Sequence, residues 1–200
     1  MTDAEIEFFD RLAPQWDANE VRSIPERVKS ILGKLSIKPG MNVLDLGTGT
    51  GVLLPYLSGM VGTEGHIAAV DLSEGMLSIA KKKFGHLKNV EFLRLDFEEE
   101  ELPGMYDVVM LYSVYPHLYD PAATMEWLFK MNIKPGGVIV IAFPSDEKFI
   151  NSIHHDRKSE SDHLPPANVL ADRISQWGFD AQVVAATADE YIIIVKRGEL

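Results

Sequence analysis

The chain of 200 residues contains no cysteine. Disulfides and thiolate metal ligands are thereby excluded. It also lacks any apolar run approaching the roughly 20 residues that a membrane-spanning helix needs. Positive charge is scarce: 19 lysines and arginines face 30 aspartates and glutamates, for a net charge of −11. Nucleic-acid binding needs a basic surface that displaces counterions from phosphates, so a DNA or RNA partner is not expected. The one cationic run, Lys81 to Lys83, is offset by Glu98 to Glu101, and both read as solvated faces. The opening stretch "MTDAEIEFFD" is acidic and has no signal-peptide pattern, which gives a cytoplasmic expectation. No G-x-x-x-x-G-K-[ST] loop for a nucleotide triphosphate occurs, and no N-P-P-Y-like segment for amino-purine chemistry.

What is present is an ordinary globular composition, 46% apolar and 24% charged, in a length that suits one domain with a full core. After Gly40 the segments alternate as in an open α/β fold. Strands are predicted at 41–47, 66–72, 90–96, 106–112 and 137–143, with a helix over 51–60 following the first. Ser73 caps a helix with an apolar face of Met76, Leu77, Ile79 and Ala80, and Asp120 with Pro121 opens another that runs through Met131. Upstream, Ser23 and Glu26 have the spacing of a capping box around Pro25, for a helix that buries Val28, Ile31, Leu32 and Leu35. Residues 144–166 form a long polar connection. A helix at about 167–177 follows, and strands at 180–186 and 190–196 are too close for a crossover, so they pair as an antiparallel hairpin. The fold class is α/β: a doubly wound seven-stranded sheet, five parallel strands plus a C-terminal antiparallel hairpin, with helices on both faces.

The chemistry concentrates in "VLDLGTGTG", Val43 to Gly51. In such sheets ligands gather at the carboxyl ends of the strands. Gly47, Gly49 and Gly51 sit where the first strand stops, and glycine there permits positive φ and removes a Cβ that would hold a ligand off. A dinucleotide turn would read G-x-G-x-x-G, but Val52 stands in the place of the third glycine, which speaks against a nicotinamide-dependent oxidoreductase. Asp45 is an acid inside an apolar strand, where an unpaired carboxylate is costly. It repels a pyrophosphate and attracts an amino group. Asp71 closes the second strand, where a carboxylate accepts from ribose hydroxyls. Asp96 closes the third, and Phe97 adds an aromatic edge for an adenine. Three strand-end acids point to an amine, a ribose and an adenine with no phosphate; helix caps and turn formers are the plainer use of the same residues.

Over about residues 40–143 the chain resembles the class I S-adenosylmethionine-dependent methyltransferases, which have a Rossmann-like sheet. The likeness rests on "VLDLGTGTG", "AAVDLSEGML", "VEFLRLDFEE", "YDVVMLYSVYPHLYDP" and "MNIKPGG". The stretch "VGTEGHIAAVDLSEGML" resembles the ubiquinone/menaquinone methyltransferase group in particular. The resemblance implies one methyltransferase domain over 1–200. It divides into an N-terminal helical lid segment (1–36), a donor-binding core (40–143), a long acceptor-side loop (144–166), and a helix with the terminal hairpin (167–200). It implies S-adenosylmethionine as methyl donor, with the turn of Gly47, Thr48, Gly49 and Gly51 against its methionine part and Asp45 near its amino group. Asp71 would meet the ribose and Asp96 with Phe97 the adenine. Leu72 and Met76 would line the adenine pocket, and the backbone around Leu111 and Tyr112 would touch the methionine moiety.

Methyl transfer from a sulfonium needs alignment above all, and a base only where the acceptor must lose a proton. The acceptor is expected to be a small molecule, quinone-like or aromatic. Candidate acceptor-side residues are Phe9, Trp16, Tyr115, His117, His154 and His155. His117 reads either as the base or as a packing residue. Phe9 and Trp16 read as lid or as core anchor, two uses that coexist. The loop "HHDRKSESDHLPP" reads as acceptor recognition, a solvated loop or a metal site, and its spacing matches no zinc motif, so no metal is assigned. Donor motifs report binding rather than turnover, so a non-catalytic S-adenosylmethionine-binding sensor or partner protein shares them. A monomer or homodimer is expected, with the final strand as an available pairing edge.

Overall fold

The computed structural model describes residues 3–19, 24–153 and 163–198. A seven-stranded sheet carries β1 (Asn42–Leu46), β2 (His66–Asp71), β3 (Val90–Arg94), β4 (Tyr106–Tyr112), β5 (Ile133–Phe143), β6 (Phe179–Ala186) and β7 (Tyr191–Arg197). Their order is β3-β2-β1-β4-β5-β7-β6. The first five strands pair in parallel, and β7 runs antiparallel to both β5 and β6. The expected hairpin is present, and it leaves β6 pointing the same way as β1–β5. The final strand is not an edge, because β7 lies between β5 and β6; the outer strands are β3 and β6.

Helices α1 (Asp3–Leu12), α2 (Trp16–Asn19) and α3 (Pro25–Gly33) precede the sheet, with a 3₁₀ turn at Ala13–Gln15 joining the first two. The crossovers are α4 (Leu54–Val61), α5 (Glu74–Phe84) and α6 (Pro121–Met131). A second 3₁₀ turn, Tyr115–His117, follows β4. The expected long connection after β5 is not wholly irregular, since Glu147–Ile153 forms α7; α8 (Ala167–Gln176) then leads into β6. No helix among the described residues is long and apolar enough to cross a membrane.

The side-chain alternation of the strands separates two cores. Leu44, Leu46, Val109, Leu111 and Ile141 pack with Leu128 of α6 and Leu170 and Ile174 of α8. Val43, Met110, Tyr112 and Val140 face the other way, against Val28 and Ile31 of α3 and Leu54 and Leu57 of α4. Local signals act largely as read. The Ser73 hydroxyl accepts from the Met76 amide, and the Asp120 carboxylate accepts from the Ala123 amide. At α3 the N-cap is Ile24, with no side-chain cap bond, and Ser23 of the expected capping box lies outside the described residues.

Two charge runs read as solvated faces have structural members. Glu98 accepts from the Tyr119 amide at 2.9 Å and the Thr124 hydroxyl at 3.0 Å, tying the segment after β3 to the start of α6. Lys83 pairs with Asp17. Sequence runs show charge density but not which members find partners.

Candidate functional site

Parallel register brings the carboxyl ends of β1, β2 and β4 level. Leu46 lies beside Val70, and Asp45 beside Met110. The turn after β1 then crosses this edge with Gly47, Gly49 and Gly51 all at positive φ. Their reasons differ. A Cβ on Gly47 would come within 2.5 Å of Val114 Cγ2, and one on Gly51 within 2.9 Å of Leu54 and Phe84 side-chain atoms. These two glycines make room for the protein's own side chains. At Gly49 a Cβ would meet nothing within 4 Å, so open space lies over that residue.

Asp45 shares its strand face with Val43, on the side covered by α3 and α4, and is 1% exposed. The Thr48 hydroxyl donates to its Oδ2 at 2.7 Å. Burial pushes the Asp45 carboxyl up to about 7; the Thr48 hydrogen bond opposes this and the neighbouring Asp71 charge adds to it. Asp71 accepts from the Gly49 amide at 2.8 Å through Oδ2 and from the Ser73 amide at 2.9 Å through Oδ1. Its carboxyl is also raised, by burial first, against the amides of Ser73, Gly49 and Leu72, with the Asp10 charge adding to the rise. Two adjacent carboxylates, both made reluctant to ionise, therefore face a turn with open space above it. Among the described residues no cation pairs with either.

The other expected donor residues occupy the same edge with different surroundings. Leu72 follows β2 directly, and Met76 is buried at the start of α5. Asp96 accepts from the Glu98 amide, the turn-forming role that the sequence left open, and Phe97 packs on the core from a partly buried position. The side chains of Leu111 and Tyr112 are both buried, on opposite faces of β4, so only backbone is presented at that strand end. The chain then turns through Ser113, the one non-glycine residue at positive φ among those described, at 59°. Its amide donates to the Ala142 carbonyl at 2.9 Å, which holds the turn between β4 and β5. Nothing in "LYSVY" signals this strain, which the β4–β5 pairing over-determines.

On the acceptor side the aromatic expectations partly converge. The Phe9 ring lies edge-on to Trp16 at 5.7 Å and to His117 at 5.3 Å. Tyr115 does not present an open hydroxyl: it is buried, and burial pushes that hydroxyl up to about 12 against the opposing effect of Arg173. His154 and His155 lie outside the described residues. A cavity of about 280 Å³ is lined by Leu102, Gly104, Met105, Trp127 and Met131 among others, at the opposite end of β4 from the glycine turn. It contains none of the expected site residues.

Sequence reasoning missed Asp10 and Asp17. Asp10 Oδ1 accepts from the Ser73 hydroxyl and from the Gly75 amide at 2.9 Å. Asp17 accepts from the Thr50 hydroxyl at 2.5 Å and from Lys83 at 2.7 Å. A 3₁₀ turn with Pro14 separates the two acids, so no single helical face in "DRLAPQWD" signals them.

Comparison with known proteins follows the same lines. The ubiquinone/menaquinone biosynthesis C-methyltransferase UbiE of Vibrio campbellii is 32% identical over 108 residues, 52% of this chain and 41% of that protein. Phosphoethanolamine N-methyltransferase 1 of Zea mays is 28% identical over 181 residues, 86% of this chain and 34% of its own length. The aligned part is thus well under two thirds of either relative. A crystal structure of a SAM-dependent methyltransferase from Aquifex aeolicus superposes with a TM-score of 0.71 at 25% identity, covering 98% of both chains. The DhpI–SAH complex, at 23% identity and a TM-score of 0.74, shares the fold over 98% of this chain and 96% of its own. The family described as "Methyltransferase domain" matches residues 37–187, from the loop before β1 to just past β6. Sheet order, glycine turn and family match agree, and the chain belongs to the methyltransferase domain family.

Proposed function

We propose that this protein is an S-adenosylmethionine-dependent methyltransferase that moves a methyl group to a small, planar acceptor of quinone-like or aromatic character. The observation that carries the donor reading is the pair Asp45 and Asp71 beside the open space at Gly49. A donor with an amino group, a ribose and no phosphate complements two carboxylates; a pyrophosphate does not. Asp45 takes the ammonium side, Asp71 the ribose hydroxyls, and the segment at Asp96 and Phe97 the adenine. The turn of Gly47, Thr48, Gly49 and Gly51 lies along the methionine part.

The reaction is an in-line displacement. An electron pair of the acceptor, from a heteroatom or a ring carbon, forms the bond to the methyl carbon while the carbon–sulfur bond breaks. The electrons of that broken bond return to sulfur as a neutral thioether, and the acceptor's O–H or C–H proton passes to the base. The protein's part is alignment, for which orientation supplies up to roughly 7–11 kcal/mol. The aromatic group of Phe9, Trp16 and His117 supports a flat acceptor, and the likeness to a quinone C-methyltransferase points the same way. His117 stands as the acceptor-side base.

Calorimetry with S-adenosylmethionine, S-adenosylhomocysteine and NAD tests the donor. Micromolar binding of the first two and none of NAD is expected; binding of NAD alone, or of none, overturns the reading. Turnover of quinol and phenol panels, read as S-adenosylhomocysteine formation, tests the acceptor. Loss of turnover in His117→Phe with donor affinity intact is the expected mark of the base.

A further inference from the structure

The N-terminal segment is fastened to the site at two points that share one logic. Asp71 accepts from the backbone amides of Gly49 and Ser73, one from each loop that flanks it. Each of those loops also offers a buried hydroxyl outward, Thr50 beside Gly49 and Ser73 itself. The segment meets each hydroxyl with an acid. Asp10 of α1 takes the Ser73 hydroxyl and the Gly75 amide, and Asp17 of α2 takes the Thr50 hydroxyl and Lys83 of α5. A side chain on Gly75 would meet the Asp10 backbone at 3.1 Å, so the approach of α1 to the start of α5 is close. Next to the two acids in the chain, the Phe9 ring meets His117 and packs edge-on against Trp16.

We infer that Asp10 and Asp17 are a two-point latch that closes the N-terminal segment over the donor and sets how fast the donor and its demethylated product leave. Both are positioning residues: they act through Ser73, Thr50 and Lys83 and touch no reacting atom. The hydroxyls that meet the acids belong to the same two loops whose amides reach Asp71. The latch therefore closes on a formed donor site and opens when either loop shifts. A charge-assisted hydrogen bond is the stronger kind, which gives the latch its hold at two short contacts. Asp10 also bears on the Asp71 charge, so the fastened segment and the donor's ribose share one cluster.

The inference rests on the donor reading above, and the experiment separates the two. Hydrogen exchange of residues 8–17 is followed in the full chain without ligand, for the parent, Asp10→Ala, Asp17→Ala and the double variant. Loss of protection confined to this segment in the double variant is expected; unchanged protection overturns the latch. Stopped-flow release of S-adenosylhomocysteine is then measured with Lys83→Met and Asp17→Ala/Lys83→Met added. Release is expected to quicken about tenfold in Asp17→Ala, equivalent to about 1.4 kcal/mol. Lys83→Met should add little on top of it, and Asp17→Asn should restore part of the delay. The KM for the donor should rise with release while kcat changes by less than about threefold. Parent-like release in every variant overturns the gating role even where exchange has changed. A parent that binds no S-adenosylhomocysteine overturns the donor reading, and the exchange data then still judge the latch.

Discussion

Two pairs of aspartates, one on the sheet and one on the N-terminal segment, bond to the same two loops and have opposite electrostatic situations. On the sheet side, Asp45 and Asp71 are held above the ordinary carboxyl range, chiefly by burial. On the N-terminal segment, Asp10 and Asp17 are held below it. For Asp10 the Ser73 hydroxyl and the Gly75 amide do this against burial. For Asp17 burial is again the largest influence, but Lys83 and Thr50 together outweigh it. The sheet pair has hydrogen bonds from Thr48 and from backbone amides but no cation among the described residues, whereas Asp17 of the segment pair has Lys83 as well as Thr50. Acids lowered by internal partners hold structure; acids raised by burial beside open space are candidates for a ligand site.

The sharpest way to break that comparison is to remove a sheet acid. Asp71→Ala leaves the Gly49 and Ser73 amides without their acceptor and takes away the proposed ribose contact. Donor affinity is expected to fall by about 100-fold in calorimetry, since a hydrogen bond to a charged group contributes about 1.5–3 kcal/mol. A smaller loss than in Asp10→Ala would mean that the two pairs have been assigned the wrong way round.

Acidity sharpens it next. The folded Asp45 carboxyl titrates at about 7 against an ordinary 3.8. Folding therefore takes up a proton between those values, and stability contributed by Asp45 is lost as pH rises through that window. Donor binding has the opposite sign. An ammonium needs the ionised acid, so affinity should improve from pH 6 to pH 8, by up to about tenfold. Below pH 7 binding should release a proton, which calorimetry in buffers of different ionisation enthalpy detects. Asp45→Asn should flatten both trends. For Asp10 and Asp17, whose carboxyls are depressed, stability is present at neutral pH and lost only as pH falls through their lowered range.

The smallest effect separates the glycines. Gly49→Ala should cost roughly 1 kcal/mol of stability, from positive φ alone, while weakening donor binding. Gly47→Ala carries the same backbone cost and a clash with Val114, so it should lower the unfolding midpoint further. If the two variants were equally stable, the distinction between a ligand-facing and a packing-facing glycine would fail.

Much of this was legible in the chain because it follows from local periodicity. The alternation of β1 puts Asp45 on one face and Leu44 and Leu46 on the other, and Ser73 and Asp120 announce their helices as caps. Strand ends are equally local, and a parallel sheet brings them to one edge, so Asp45 and Asp71 could be placed together from sequence. The outcome at Gly47 could not. What fills the space beside it is Val114, more than sixty residues downstream, delivered by the turn at Ser113. Glu98 and Lys83 looked like solvated charge for the same reason: their partners, Thr124 and Asp17, are distant in sequence.

The sequence by itself determined the order of the elements, the two-faced sheet, the acids at the strand ends and the kind of ligand they suit, because each depends on spacing within one element. Only the tertiary structure decided which glycine faces open space, that β7 lies inside the sheet rather than at its edge, and that Asp10 and Asp17 clasp the two loops around Asp71. Those are contacts between segments far apart in the chain, and such contacts are selected by packing of whole surfaces, which no local pattern encodes.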